Sequence, residues 1–220
     1  SSIGFNGSEE LVEAYKNENA DFHQTVADMA GIPRSQAKTI NLGIFYGMGK
    51  NKLSRELGID KDQAELILKE YNAKVPFVKQ LANRAADSAD KNGAIWTLKG
   101  RKCRFEQWEP SSFGLHKATN FEDAVNKYGK NSIKRAGTYK ALNRLIQGSS
   151  ADQTKQAMIS CYKAGYLPSL QIHDELCFNL DKDKLEKQKK EIKKIMEEAI
   201  EFKVPFTVDC EIGNSWGNLK

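Results

Sequence analysis

Histidine is scarce in this chain, with three in 220 residues (His23, His116 and His173). That is too few for a phosphohydrolase built on several metal-bound imidazoles, even though His173 stands beside Asp174. The four cysteines, Cys103, Cys161, Cys177 and Cys210, lie far apart and form no CxxC pair. Neither a zinc site nor a disulfide framework is indicated, and reduced, buried thiols in a cytoplasmic protein are expected. No apolar run approaches the ~18 residues of a membrane span, and the first residues do not resemble a signal peptide. Internal repeats and low-complexity segments are also missing. What is present is a chain with 40% apolar residues, enough for one sizeable domain or two small ones.

Lys and Arg exceed Asp and Glu by 34 to 29, an excess too mild to separate a nucleic-acid binder from an ordinary basic enzyme. The distribution is more telling. Five basic residues and no acid lie from Arg34 to Arg55, and eight basic residues against the single acid Asp152 lie from Lys127 to Lys163. The run from Asp181 to Lys203 mixes signs and reads as a solvated helix face.

Helical spacing of Leu11, Val12, Tyr15, Phe22, Val26 and Met29 predicts a helix that stops at Gly31. Pro33 suits the first turn of a second helix, to Gly47. A third is expected from Asp60 to about Asn72, and Pro76 opens a long polar helix that ends near Asn92 and Gly93. The stretch 94–105 reads as a hairpin, whereas 106–130 has no clear period. A helical pattern covers 132–164, interrupted at Gly137 and Gly148. Two short apolar strands then flank His173-Asp174-Glu175 as a β-hairpin. A helix over 181–202 and a strand over 206–212 complete an α+β pattern.

Arg34, Lys38 and Leu42 are four apart, so each lies only ~40° further around the helix and all share one face. A guanidinium and an ammonium one turn apart near a helix N-terminus can clamp a polyphosphate, although an exposed basic face beside buried neighbours has the same spacing. Carboxylates at the hairpin bend, Asp174 and Glu175, are held rigidly yet wet, as a divalent-metal site for phosphoryl transfer requires.

The order of these segments resembles the family A DNA polymerases, bacterial DNA polymerase I and its phage relatives. RSQAKTINLGIFYG at 34–47 looks like the family's motif in which Arg and Lys four apart precede a ring residue and Tyr-Gly. QIHDEL at 171–176 is similar to its palm hairpin, ALNRLIQGSSAD at 141–152 to the helix before that hairpin, and TLKGR at 97–101 to an element between them. Asp21-Phe22-His23 matches the Asp-x-His ahead of the first motif. Together the motifs cover nearly the whole chain.

The resemblance implies a mainly helical fingers subdomain over 1–131, including the 94–105 hairpin, and part of a palm with a small antiparallel sheet over 132–220. It implies template-directed addition of a deoxynucleotide to a primer 3′-hydroxyl with release of pyrophosphate, assisted by two Mg²⁺ ions, in a bacterial or phage-infected cytoplasm. His23, Arg34 and Lys38 would bind the incoming triphosphate, with Lys38 also placed to protonate the departing pyrophosphate. Leu42 would meet the sugar and Tyr46 the nascent base pair. Asn143, Gln147 and His173 would contact the primer terminus, and Arg101 with the basic residues of the long helix would contact backbone phosphates. Asp174 would ligate the metals, with Glu175 as its outer neighbour.

The pattern breaks in three places. The family's other catalytic aspartate belongs to an Asp-Tyr-Ser type motif expected upstream of Asp21, with the glutamate that excludes ribonucleotides. Residues 1–20 contain Glu9, Glu10, Glu13 and Glu18 but nothing like that motif. Leu42 stands where the family usually has Phe or Tyr, and Tyr139 where many relatives have a basic residue. The expectation is therefore a C-terminal portion, truncated or naturally split, which needs the N-terminal portion as a partner, binds primer-template DNA and dNTP, and is inactive alone. Ser1 would suit the residue left after protein splicing. A non-catalytic DNA- or nucleotide-binding subunit and an RNA-templated or RNA-making polymerase of similar build are the alternatives.

Overall fold

The computed structural model describes residues 9, 12–13, 21–45, 48–112, 114, 116–202 and 204–218. They form an α+β fold in two compact units, Ser1–Ile146 and Gln147–Lys220. From residue 21 onward the described residues of the first unit run through α1 (Phe22–Ala30), α2 (Arg34–Phe45), α3 (Lys50–Leu57), α4 (Lys61–Lys74) and α5 (Pro76–Asn92). Local chemistry sets their ends. Asp21 and Asp60 cap α1 and α4 through their side chains, Pro76 sits in the first turn of α5, and Gly31 ends α1 in the left-handed conformation.

The helices enclose one core made from Val26 and Ala27 (α1), Ala37 and Ile40 (α2), Leu53 (α3), Ala64 and Tyr71 (α4), and Phe77 and Val78 (α5). Fully burying each of Val26, Ile40, Leu53 and Val78 is worth ~1.5–3 kcal/mol relative to exposure. A second core joins the end of α5 to the hairpin β1 (Ala94–Trp96) and β2 (Lys102–Arg104). It holds Ala85, Ala89, Ile95 and Phe105 with Ala141 and Leu142 from the start of α7 (Ala141–Lys163).

The stretch without sequence period contains β3 (Trp108–Pro110) and α6 (Phe121–Tyr128). Asn120 caps α6 by accepting from the Asp123 amide at 2.9 Å. β3 pairs antiparallel with β4 (Ile133–Arg135), Trp108 opposite Arg135. Arg135 then acts as a staple. Its Nε donates to the Asp90 carbonyl at 3.0 Å and its Nη1 to the Phe105 carbonyl at 2.9 Å, while the guanidinium lies 4.6 Å from the Trp108 ring centre. Gly93, at φ 63°, makes room for it: a Cβ there would stand 2.9 Å from the guanidinium carbon.

The second unit consists of the rest of α7, the hairpin β5 (Pro168–Ile172) and β6 (Glu175–Phe178), and α8 (Leu185–Glu197). Ala157, Cys161 and Ile192 are buried in it, and burial pushes the Cys161 thiol up. Gln153 donates to the Met196 carbonyl at 3.0 Å and Tyr166 hydrogen-bonds Glu191, so α8 is held by polar as well as apolar contacts. The mixed charges of α8 pair at i,i+4, as Lys187 with Glu191 at 3.9 Å and Lys193 with Glu197 at 3.7 Å.

The structure adds one helix the sequence did not show and corrects the expectations for 132–164, 181–202, 206–212 and the cysteines. α3 was invisible because KNKLSREL buries only Leu53, which leaves no apolar period to read. The helix expected from 132 starts at Ala141: β3 takes Ile133–Arg135 as its partner, and Gly137 adopts φ 71°, whereas Gly148 passes within α7 without a break. The helix over 181–202 is α8 alone, delayed by a turn in which Asp181 accepts from the Asp183 amide. Residues 206–212 form no strand, because among the described residues β5 pairs only with β6 and no sheet edge takes them up. All four cysteines are free thiols, but only Cys161 is buried and the other three are half-buried.

Candidate functional site

The corner between α1 and α2 is organised by one carboxylate. Asp21 Oδ1 accepts from the amides of His23 at 2.8 Å and Gln24 at 3.1 Å, which starts α1. Its Oδ2 accepts from Arg34 Nε at 2.8 Å and Nη2 at 2.6 Å. The arginine beside it, with the backbone donors, holds the Asp21 carboxyl below the usual carboxylate range. Two of the five N–H donors of Arg34 are thus committed, which aims the guanidinium through a two-point grip.

Arg34, Lys38 and Leu42 are all exposed along α2, Leu42 by 42%. The neighbouring face, on the Arg34 side of this stripe, carries Ala37, Ile40 and Asn41, each buried. His23 lies near this corner, half-buried. Burial lowers its pKa most, and Arg34 and Lys38 lower it further against the opposing pull of Asp21, which favours the neutral imidazole. Tyr46 and Gly47 lie outside the described residues.

Asn41 was not apparent in the sequence as a functional residue. Its side chain is fully buried and spans two others: Nδ2 is 3.3 Å from His23 Nδ1, and Oδ1 is hydrogen-bonded by the hydroxyl of Tyr71, itself 1% exposed. The available signal was an amide on the face shared by Ala37 and Ile40, since buried polar groups need partners.

TLKGR forms the turn of the β1–β2 hairpin. Thr97 is buried and its Oγ1 accepts from the Arg101 amide at 3.1 Å, the Gly100 amide donates to the Thr97 carbonyl at 2.9 Å, and Gly100 sits at φ 78°. Arg101 is left exposed at the turn. Of the basic residues assigned to the long helix, Arg135 instead forms the staple on β4, and Arg144 lies 4.6 Å over the Phe105 ring. On α7, Asn143 is half-buried and Gln147 exposed.

In the second unit, Ile172 faces Glu175 across a two-residue turn of His173 and Asp174. His173 adopts φ 53°, an uncommon backbone for a residue with a Cβ, and Gln171 Nε2 donates to its carbonyl at 3.2 Å. His173, Asp174 and Glu175 are all exposed. Among the described residues no group of three or more His, Cys, Asp or Glu side chains is placed to hold a metal ion. Asp174 with Glu175 nevertheless matches the donor chemistry of Mg²⁺, which takes one or two carboxylates and completes its shell with substrate phosphates and water. No helix among the described residues is long and apolar enough to cross a membrane.

Residues 4–218 match the family model described as DNA polymerase family A. The chain belongs to that family. It is 36% identical over 244 residues to a DNA-directed DNA polymerase of Pseudomonas phage M6, an alignment covering 95% of this chain and 33% of the relative. It is 32% identical to a DNA polymerase of Mycobacterium phage L5, over 97% of this chain and 31% of the relative. For the thermostable DNA polymerase I of Thermus aquaticus the figures are 30% identity, 97% and 25%. Among solved structures, the POL domain of Pol1 from M. smegmatis in complex with DNA primer-template and dNTP superposes with a TM-score of 0.69 at 28% identity, covering 89% of this chain and 34% of that one. The chain therefore spans a quarter to a third of the length of these relatives.

Proposed function

We propose that this chain supplies the fingers and the C-terminal palm of a DNA-directed DNA polymerase, with fingers over 1–131 and palm over 132–220. The observation that carries this reading is the exposed face of α2, where Arg34, Lys38 and Leu42 lie in line near a half-buried His23. Arg34, aimed by Asp21, and Lys38 neutralise the triphosphate, and His23 adds a neutral donor. As the primer 3′-hydroxyl oxygen bonds to the α-phosphorus and its proton passes to solvent, the bond from that phosphorus to the α–β bridging oxygen breaks, and Lys38 gives its proton to the departing pyrophosphate. Leu42 packs against the sugar, and Tyr46 stands at the nascent base pair. Arg101 holds backbone phosphate, and Asn143, Gln147 and His173 test the primer terminus through minor-groove acceptors common to all base pairs.

Mg²⁺ held by Asp174, with Glu175 beside it, would supply positive charge where the phosphoryl group becomes more anionic. The relative bound to DNA primer-template and dNTP supports both partners for this chain. One aspartate is too little charge for two ions, so a second carboxylate comes from an upstream palm segment, on this polypeptide or a companion.

The triphosphate clamp is tested by Lys38→Ala in enzyme completed with the upstream segment. Nucleotide affinity and the rate of the chemical step both fall, the latter by the 10²–10⁴-fold (order of magnitude) of a lost general acid. A change confined to DNA affinity would make α2 an ordinary DNA-contact surface.

A further inference from the structure

We infer that Asn41 and Tyr71 form a buried hydrogen-bond relay that fixes His23 as the neutral tautomer with its proton on Nε2. Asn41 is then a positioning residue for the triphosphate site, and this consequence rests on the reading proposed above.

The assignment follows from the orientation of the Asn41 amide, with Oδ1 toward Tyr71 and Nδ2 toward His23, and from what each group can donate. Tyr71 is buried and its phenol is pushed far above its ordinary range by desolvation, so it stays protonated. Its partner atom, Asn41 Oδ1, only accepts, so the Tyr71 O–H must donate to it. That turns the amide's Nδ2, which only donates, toward His23 Nδ1 at 3.3 Å. Nδ1 must then be the accepting, unprotonated nitrogen, and the ring proton of the neutral imidazole sits on Nε2. An imidazolium would set an Nδ1–H against an N–H₂ donor, so the relay opposes protonation in the same direction as burial, Arg34 and Lys38. The ring is held as a neutral N–H donor, able to hydrogen-bond a phosphate oxygen without becoming a third phosphate-binding cation, beside Arg34 and Lys38, whose charge would have to be desolvated.

The relay also bridges three helices of one core. His23 rides on α1, Asn41 on α2 and Tyr71 on α4, so the imidazole's orientation is locked to the packing of the helix that carries Arg34 and Lys38. Asp21 gives Arg34 the corresponding support from the outer side of the corner. The two phosphate-facing groups at the start of the site are each oriented by a side chain that itself need not touch the ligand.

The test is the histidine tautomer read by long-range ¹H–¹⁵N NMR of the 220-residue chain at neutral pH without nucleotide. The wild type should show a protonated Nε2 and an unprotonated Nδ1 at His23, assigned by comparison with His23→Ala. Asn41→Asp, which replaces the donor by an acceptor, should move the proton to Nδ1 or charge the ring. Tyr71→Phe, which keeps the core volume, should give a mixture of tautomers. A wild-type His23 protonated on Nδ1, or a Tyr71→Phe spectrum identical to wild type, overturns the relay even if Asn41→Asp does not fold. Titration with a deoxynucleoside triphosphate then separates the relay from the reading it rests on. His23→Ala should weaken binding about tenfold, the size of one hydrogen bond to a charged group; Asn41→Asp should weaken it by a similar factor where the proton has moved to Nδ1, and should add no further loss to His23→Ala in the double variant. Correct tautomers with no effect of either variant on nucleotide affinity would overturn the triphosphate role and leave the relay standing.

Discussion

Removing Arg135 should weaken the first unit and leave the DNA-binding surface nearly unchanged, although the residue belongs to the most basic stretch of the chain. The side chain gives two charged hydrogen bonds to main-chain carbonyls, at 3.0 Å to Asp90 and 2.9 Å to Phe105, and stacks 4.6 Å over Trp108. Partly solvated bonds of this kind are worth ~1 kcal/mol each and an accessible cation–π contact ~0.5–1. Arg135→Ala should therefore cost the first unit about 2–3 kcal/mol. At roughly 3 °C per kcal/mol for a unit of this size, its melting transition falls by about 6–9 °C. Arg135→Lys should recover only part of this, because an ammonium cannot reproduce the fork that reaches both carbonyls. The assay is thermal unfolding paired with the salt dependence of primer-template binding. A variant that melts like wild type but has a salt slope reduced by about one would show that Arg135 contacts phosphate and that the staple is of no consequence.

Asp21→Asn keeps a good helix cap but removes the charge that holds Arg34. Because the Asp21 pKa is depressed below 3.8, its stabilisation is fully present above 3.8 and is lost as pH falls through the lower folded value, so acid titration of the melting temperature should flatten in that window for the variant. A variant titrating like wild type there would mean that the pair with Arg34 contributes nothing. Leu42→Tyr places a phenolic hydroxyl on the exposed face of α2, where it can replace the hydrogen bond missing from a dideoxynucleotide. Chain-termination ladders should show discrimination against dideoxynucleotides in the wild-type completed enzyme and loss of it in Leu42→Tyr; identical ladders would mean that Leu42 does not face the sugar.

Much of this was legible in the sequence because its signals are local. Pro76 and Gly93 bracket α5, Asp60 starts α4, and the alternating apolar residues around His173 and Asp174 give the hairpin, all within a few residues of the feature they specify. The motif residues Arg34, Lys38 and Leu42 fall on one exposed face for the same reason. What was hidden depends on distant partners. Asp21 is 13 residues from Arg34 and Asn41 is 30 from Tyr71, and no period encodes such pairs. Ile133–Arg135 has a helical look by itself and becomes a strand because β3 offers it an edge. Arg135 looked like another phosphate contact because a sequence cannot tell a cation facing water from one folded back onto carbonyls.

The central claim is that this chain carries one of the two carboxylates of a polymerase active site, at Asp174, and is completed by an upstream palm segment. Primer extension on a defined primer-template with Mg²⁺ and the four deoxynucleoside triphosphates tests it most directly, using the chain alone, the chain joined to the upstream region of a family A relative, and the joined form with Asp174→Asn. The account predicts negligible extension by the chain alone, synthesis by the joined enzyme, and abolition of synthesis with DNA binding retained in Asp174→Asn. Robust extension by the 220-residue chain alone, or synthesis that survives Asp174→Asn, would contradict it.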